Sequence, residues 1–218
     1  MSQRRAGVIC TMAHGPHRQL LEVTRPALER YGERHGYDVQ VVESRLAPAR
    51  PVSWGKIALL HSLVASYRVV CWVDADALVL DGAPDIRNDL RGPPFLHLVE
   101  HRVQGERRPN AGVVVLRGGR LAARFLERVW DQHQFVQHMW WESAAVAHLL
   151  GYRVSPTMRP ARASAWRPLV GFLDRSWNSI PHDPSPQPHI VHFPGSPLPE
   201  RRDALAAAAS STSVAAPA

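Results

Sequence analysis

The sequence predicts an α/β fold in a single domain, and three observations carry that prediction. Short apolar runs rich in β-branched and aromatic residues alternate with stretches whose apolar residues recur at helical spacing. One run, RVVCWV at residues 68–73, follows a helical pattern and reads as a buried parallel strand. It ends in Asp74-Ala75-Asp76, and the carboxyl ends of strands in open α/β sheets border the crevice where ligands bind. A chain of 218 residues is long enough for one such domain with a real core. Residues 1–203 are assigned to it. Residues 204–218, almost all Ala, Ser, Thr, Val and Pro, read as a disordered tail with a frayed helix at 204–209.

Residues 6–12 form the first expected strand, opening into a small polar turn of Thr11, Ala13, His14 and Gly15. The first such turn of an α/β sheet commonly faces a nucleotide, so Thr11 and His14 are candidates for contacting a base or ribose; an ordinary connection is the plain alternative. Over residues 17–35, Leu20, Leu21, Thr24, Ala27, Leu28 and Tyr31 recur at helical spacing, with Pro26 as a kink or restart and Gly36 as the C-terminal cap. A second strand at 37–43, a proline-bearing loop at 46–53 and a helix at 54–67 lead into the central strand.

After Asp81 comes turn chemistry, then a strand at 95–100 and a loop of arginines. Asn110-Ala111-Gly112 opens a buried strand through Arg117; Gly112 permits close approach of a ligand or backbone, and Asn110 offers both a donor and an acceptor. Residues 120–133 and 141–150 read as helices. The second carries Glu142 and Ser143 in its first turn, where the helix dipole favours an acidic residue even without a function. Residues 155–188 are irregular, and Trp166, Trp177, Asn178 and Ser179 either wall a sugar site or belong to the core. A short strand at 189–193 then places His192 just before a Pro194-Gly195 turn, from which its ring could reach a neighbouring ion; a structural histidine is the plain alternative.

The formal charge of +7 invites an anionic partner, but only one of the 26 basic residues, Lys56, is lysine, and the arginines are scattered. No basic stripe interleaved with aromatics marks nucleic-acid binding. Cys10 and Cys71 lie in apolar runs without a CxxC partner, so neither a disulfide framework nor a zinc site is indicated. No secretory signal or bilayer-spanning segment is read, and the expectation is a soluble cytoplasmic protein, monomeric or homodimeric, without nucleic-acid or membrane partners.

In extended backbone, residues two apart point to the same side, so Asp74 and Asp76 can converge on one ion. Two close carboxylates repel, and a divalent cation relieves that repulsion. Hard oxygen ligands suit Mn2+ or Mg2+, which keep positions free for phosphates. A metal-bound diphosphate is the chemistry this points to; a solvated strand-end turn is the plain alternative.

The blocks YGERHGYDV, WGKIALLHSL, VVCWVDADALVL, NAGVVVLR, WWESAAVAHLL, SWNSIP and VHFPG, in this order, resemble glycosyltransferases of the GT-A type, most closely family 34, the retaining α-galactosyl-, α-mannosyl- and α-xylosyltransferases. The resemblance implies a Rossmann-like domain with a mixed, mainly parallel sheet flanked by helices. It implies that Asp74 and Asp76 are the DxD motif holding Mn2+ (or Mg2+) on a nucleotide-sugar diphosphate, with His192 as third protein ligand. Asn110, Ala111 and Gly112 then lie beside the donor sugar, and Ala75, Lys56 and Gly195 join the nucleotide-sugar site. Glu142 and Ser143 stand where the family has Asp-Gln near the anomeric carbon, a departure that keeps the carboxylate and loses the amide. The implied reaction moves a sugar, from a UDP-sugar by preference, to a saccharide or small-molecule hydroxyl with retention.

Two rivals are weighed against it. Haloacid-dehalogenase-type phosphatases also place DxD after an apolar strand, but with a small residue such as Gly-Thr following and near the N-terminus, whereas Ala77-Leu78 follows here, deep in the chain. A non-catalytic binder of anionic polymer is argued from the charge alone.

Overall fold

In the computed structural model, residues 4–154 and 158–213 are described. The readings of residues 155–157, 1–3 and 214–218 lie outside them. The first strand, β1 (Arg5–Met12), is followed by α1 (Arg18–His35), β2 (Asp38–Val42), α2 (Gly55–Leu63) and β3 (Tyr67–Val73). A short β4 (Ala77–Val79) precedes β5 (Leu96–Val103) and β6 (Glu106–Arg117). Then come α3 (Arg120–Trp130), α4 (Trp141–Leu149), β7 (Tyr152–Arg153), β8 (Arg159–Pro160), β9 (Val170–Leu173), β10 (Ile190–His192) and α5 (Leu198–Ser213).

The main sheet has the order β2-β1-β3-β6-β5-β9. β1 pairs in parallel with β2 and β3, and β5 in parallel with β9; β6, antiparallel to both β3 and β5, alone runs against the others. This is the mixed, mainly parallel sheet the sequence predicts. Side-chain alternation splits the core in two. Val8, Cys10, Val70 and Trp72 face the layer of α2, α3 and α4, while Ile9, Cys71 and Val73 face Leu28 and Tyr31 of α1 and Trp177. All six apolar positions read at helical spacing in residues 17–35 are buried, and α1 runs unbroken through Pro26 to an αL cap at Gly36 (φ 68°). Among the described residues, no helix is long and apolar enough to cross a membrane.

Three expectations are corrected. The arginine loop after residue 100 is the far half of a β5–β6 hairpin, closed at Gln104 (φ 55°) and Gly105 (φ 80°), the left-handed pair that a tight hairpin turn demands. The irregular stretch before residue 188 contains β9, an edge strand too short to show periodicity. The tail, expected to be disordered with a frayed helix at 204–209, is instead the body of α5 as far as Ser213. Alanine favours helix, and Leu205, fully buried against Leu20, Ala27 and Leu78, anchors it.

Candidate active site

The site forms where β3 ends. β6 reaches that point with a bulge: Leu98 faces Val114 but the next residue, Val99, faces Asn110, leaving residues 111–113 looped out of the β5 ladder. They remain tied to β3, since Val113 pairs with Val73 and the Asp74 N–H donates to Gly112 O at 2.8 Å. Beyond the Asp74–Asp76 turn the chain re-enters a strand, β4, which pairs antiparallel with β10 so that Ala77 sits opposite His192. The Phe193 N–H donates to Asp76 O (3.1 Å) and the His192 N–H to Ser179 O (2.8 Å). By this short, long-range ladder a histidine from the end of the chain is brought to the strand-end acids.

His192 Nε2 lies 3.2 Å from Asp76 Oδ1 and 3.9 Å from Asp74 Oδ2. One ligand atom from each of the three residues falls within 4.8 Å of the others. The remaining carboxylate oxygens are already engaged. Asp74 Oδ1 accepts from Trp72 Nε1 (2.6 Å) and pairs with Lys56 Nζ (2.9 Å); Asp76 Oδ2 accepts from Arg201 Nη1 (2.7 Å). Each acid therefore presents one free oxygen to the histidine, an N/O donor set that suits Mn2+ or Mg2+. Burial opposes the charged form of Asp76, yet the neighbouring His192 and Arg201 outweigh it and hold the carboxyl at about 2.

Lys56 stands behind the acids. It is buried, and its ammonium reaches Ala111 O (2.9 Å), Asp74 Oδ1 (2.9 Å) and Glu142 Oε1 (3.1 Å), which takes all three of its donors. Desolvation favours its neutral form, but Asp74 and Glu142 outweigh that and raise its pKa. Ser143 Oγ also donates to Glu142 Oε1 (3.2 Å), while the buried Oε2 has no partner. Asn110 Oδ1 accepts from the Gly112 N–H (2.7 Å) and from Asn178 Nδ2 (3.0 Å), and Asn178 Oδ1 lies 2.8 Å from His192 Nδ1.

The structure thus brings Lys56, Asp74, Asp76, Asn110, Ala111, Gly112, Glu142, Ser143 and His192 into one connected cluster. Ala75 turns its carbonyl away to Thr24 Oγ1 (3.2 Å). Gly195 occupies an open turn at φ 81°. Thr11 and His14 sit at the end of β1; Thr11 Oγ1 and His14 Nδ1 are buried without a partner, and no hydrogen bond joins either residue to the cluster among the described residues. Trp177, fully buried and bonded to Asp89, and Trp166, packed on Phe95 and Phe125, belong to the core.

Arg201 is the component that sequence reasoning missed, because the arginines are scattered along the chain and charge alone does not single this one out. A usable signal was its place in the basic pair Arg201-Arg202, shortly after the Pro194-Gly195 turn.

The fold is the GT-A glycosyltransferase fold. Three solved structures similar to this chain carry the comparison. A glycosyltransferase involved in glycosylation of the major capsid of PBCV-1 has a TM-score of 0.70 at 18% identity, over 93% of this chain and 99% of its own. The galactosyltransferase LgtC, in complex with donor and acceptor sugar analogues, gives 0.61 at 12% identity over 96% and 97%. Mouse xyloside xylosyltransferase 1 gives 0.51 at 9% identity over 88% and 98%. No protein-family model and no curated protein matches the chain.

Proposed function

We propose that the chain is a glycosyltransferase of the family 34 kind, moving a sugar from a nucleotide sugar, a UDP-sugar by preference, to a saccharide or small-molecule hydroxyl with retention. The observation that carries this reading is the convergence of one free oxygen from each of Asp74 and Asp76 with His192 Nε2, at a strand end of this fold. Those three residues would hold Mn2+ or Mg2+, which when bound supplies neutralising charge to a departing nucleoside diphosphate. Arg201, whose side chain is 19% exposed beside Asp76, adds a second positive charge at the same lip. Lys56 acts from behind, its ammonium bridging Asp74 Oδ1 and Glu142 Oε1.

Glu142 is the group proposed to face the sugar. Its Oε1 is pinned by Lys56 and Ser143, which leaves Oε2, buried and without a protein partner, as the oxygen that would stabilise positive charge developing at the anomeric carbon or attack it transiently. Asn110 spends its oxygen within the protein and keeps its Nδ2 for a donor hydroxyl. Thr11 Oγ1 and His14 Nδ1 are suited to the base or ribose. A phosphatase reading would require Asp74 as nucleophile, although one of its oxygens is already held by Trp72 and Lys56.

The test is a panel of UDP- and GDP-sugars with Mn2+ and no acceptor, read as nucleoside diphosphate released by hydrolysis. The expected result is metal-dependent release from one donor, abolished in Asp76→Asn. No release from any donor, with Asp76→Asn indistinguishable from the wild type in metal binding, would refute the assignment.

A further inference from the structure

We infer that Asn178 is a positioning residue that fixes the tautomer of His192, through an amide relay anchored on the Gly112 backbone. This rests on the metal-binding reading of His192 and adds residues and a mechanism to it.

The direction of each bond follows from the first. A backbone N–H can only donate, so the atom of Asn110 that lies 2.7 Å from Gly112 N is the carbonyl oxygen. That same oxygen lies 3.0 Å from the Asn178 side chain, which must therefore present its NH2 group there. The other end of the Asn178 amide, 2.8 Å from His192 Nδ1, is then an acceptor, and Nδ1 must carry the proton. In the neutral ring this leaves Nε2 as the bare lone pair, and Nε2 is the nitrogen that faces Asp76 Oδ1 at 3.2 Å and Asp74 Oδ2 at 3.9 Å.

Burial makes the relay rigid. Asn178 is wholly buried and His192 is 2% exposed, so water has little chance to replace either partner. Asn178 sits in the 3-10 turn Arg175–Asn178, whose neighbour Ser179 bridges to β10, so the same contact that docks β10 also sets the ring. The β6 bulge gains a second role, because it aims the Gly112 N–H at Asn110 while Gly112 lacks the Cβ that would strike His192 Cε1 at 2.2 Å. Partners behind a metal-binding histidine orient it and raise its basicity, and their loss typically lowers metal affinity ~10–100-fold.

The experiment uses the full chain labelled with 15N-histidine, with the His192 ring assigned by its absence in His192→Gln. Long-range proton–nitrogen spectra, metal-free and with Mg2+, should show a protonated Nδ1 in both. Mn2+ titration followed by the electron paramagnetic resonance of free Mn2+ should give ~10–100-fold weaker binding for Asn178→Ala. An unprotonated Nδ1 in the wild type, or a folded Asn178→Ala that binds Mn2+ as tightly as the wild type, would overturn this inference alone. The wild-type spectrum decides even if the variant fails to fold. Wild-type protein that binds no Mn2+ would remove the metal reading and this inference with it.

Discussion

Gly112→Ala is the sharpest single perturbation of the site. The added Cβ would lie 2.2 Å from His192 Cε1, 2.5 Å from His192 Nδ1 and 2.9 Å from Asn110 Oδ1. Carbon atoms settle at about 3.5–4.0 Å, so the imidazole must retreat by more than ~1 Å. It has little room, being 2% exposed and bonded to Asn178 on one side. Overpacking of this kind costs about 1–3 kcal/mol of stability. The effect on metal binding is larger in kind, because ligand distances are held to roughly ±0.2 Å and the ring moves several times that. We expect Mn2+ affinity to fall at least ~10-fold, the lower end of the loss seen when the support of a ligand is removed. The assay is Mn2+ titration by paramagnetic resonance, paired with urea unfolding in EDTA to separate stability from binding. Gly82→Ala serves as the control. It carries the strain of φ 85° but meets nothing within 4 Å, so it should lose some stability and no metal affinity. A Gly112→Ala protein with wild-type Mn2+ affinity would refute the packing argument and the place given to His192.

Lys56→Met would leave the buried Glu142, and the partly buried Asp74, without their counter-ion, and breaking a buried pair costs about 3–5 kcal/mol, measurable as a lower urea midpoint. Arg201→Gln should cost some stability but leave the fold intact, since Asp76 keeps His192 as a partner, while raising the KM for the nucleotide sugar more than it lowers kcat. Because Asp76 is held at about 2 against about 3.9 when unfolded, its charged form contributes stability above pH ~4 that is lost as pH falls toward 2. The contribution is on the order of 2–3 kcal/mol, and metal-free Asp76→Asn should lack that component of the pH profile. Burial pushes the Cys71 thiol up to about 12, with Asp85 adding to it, and Cys10 is buried and raised as well. A thiol reagent should therefore label neither in the native protein and both after denaturation.

What was readable in the sequence follows from the range of the interactions involved. The strand end at Asp74 and Asp76 was legible because an apolar run and an acidic stop are local features. So was the buried face of α1, whose six positions follow from the helical period alone. The place of His192 was not legible from residues, because β4 and β10 span only Ala77–Val79 and Ile190–His192, and their pairing joins distant parts of the chain. The residues alone offered a histidine before a Pro194-Gly195 turn, and the resemblance of blocks in order tied it to the two acids. Lys56 is expected from the sequence as part of the nucleotide-sugar site, whereas the structure gives all three of its donors to protein oxygens. Its setting in GKIALL, among residues that are themselves buried, already implied counter-ions inside the fold. The β6 bulge and the Asn110–Asn178 relay left no trace, since a register shift and an amide pair have no sequence period.

The β4–β10 ladder has a temporal meaning. On a nascent chain emerging N-terminus first, the acidic turn is made early, yet its imidazole partner cannot arrive until the whole stretch from Asp76 to His192 has left the ribosome. On the metal-binding reading proposed above, a cation would fasten an early segment to a late one, and a cut anywhere in the stretch between β9 and β10 would part the lock from its bolt.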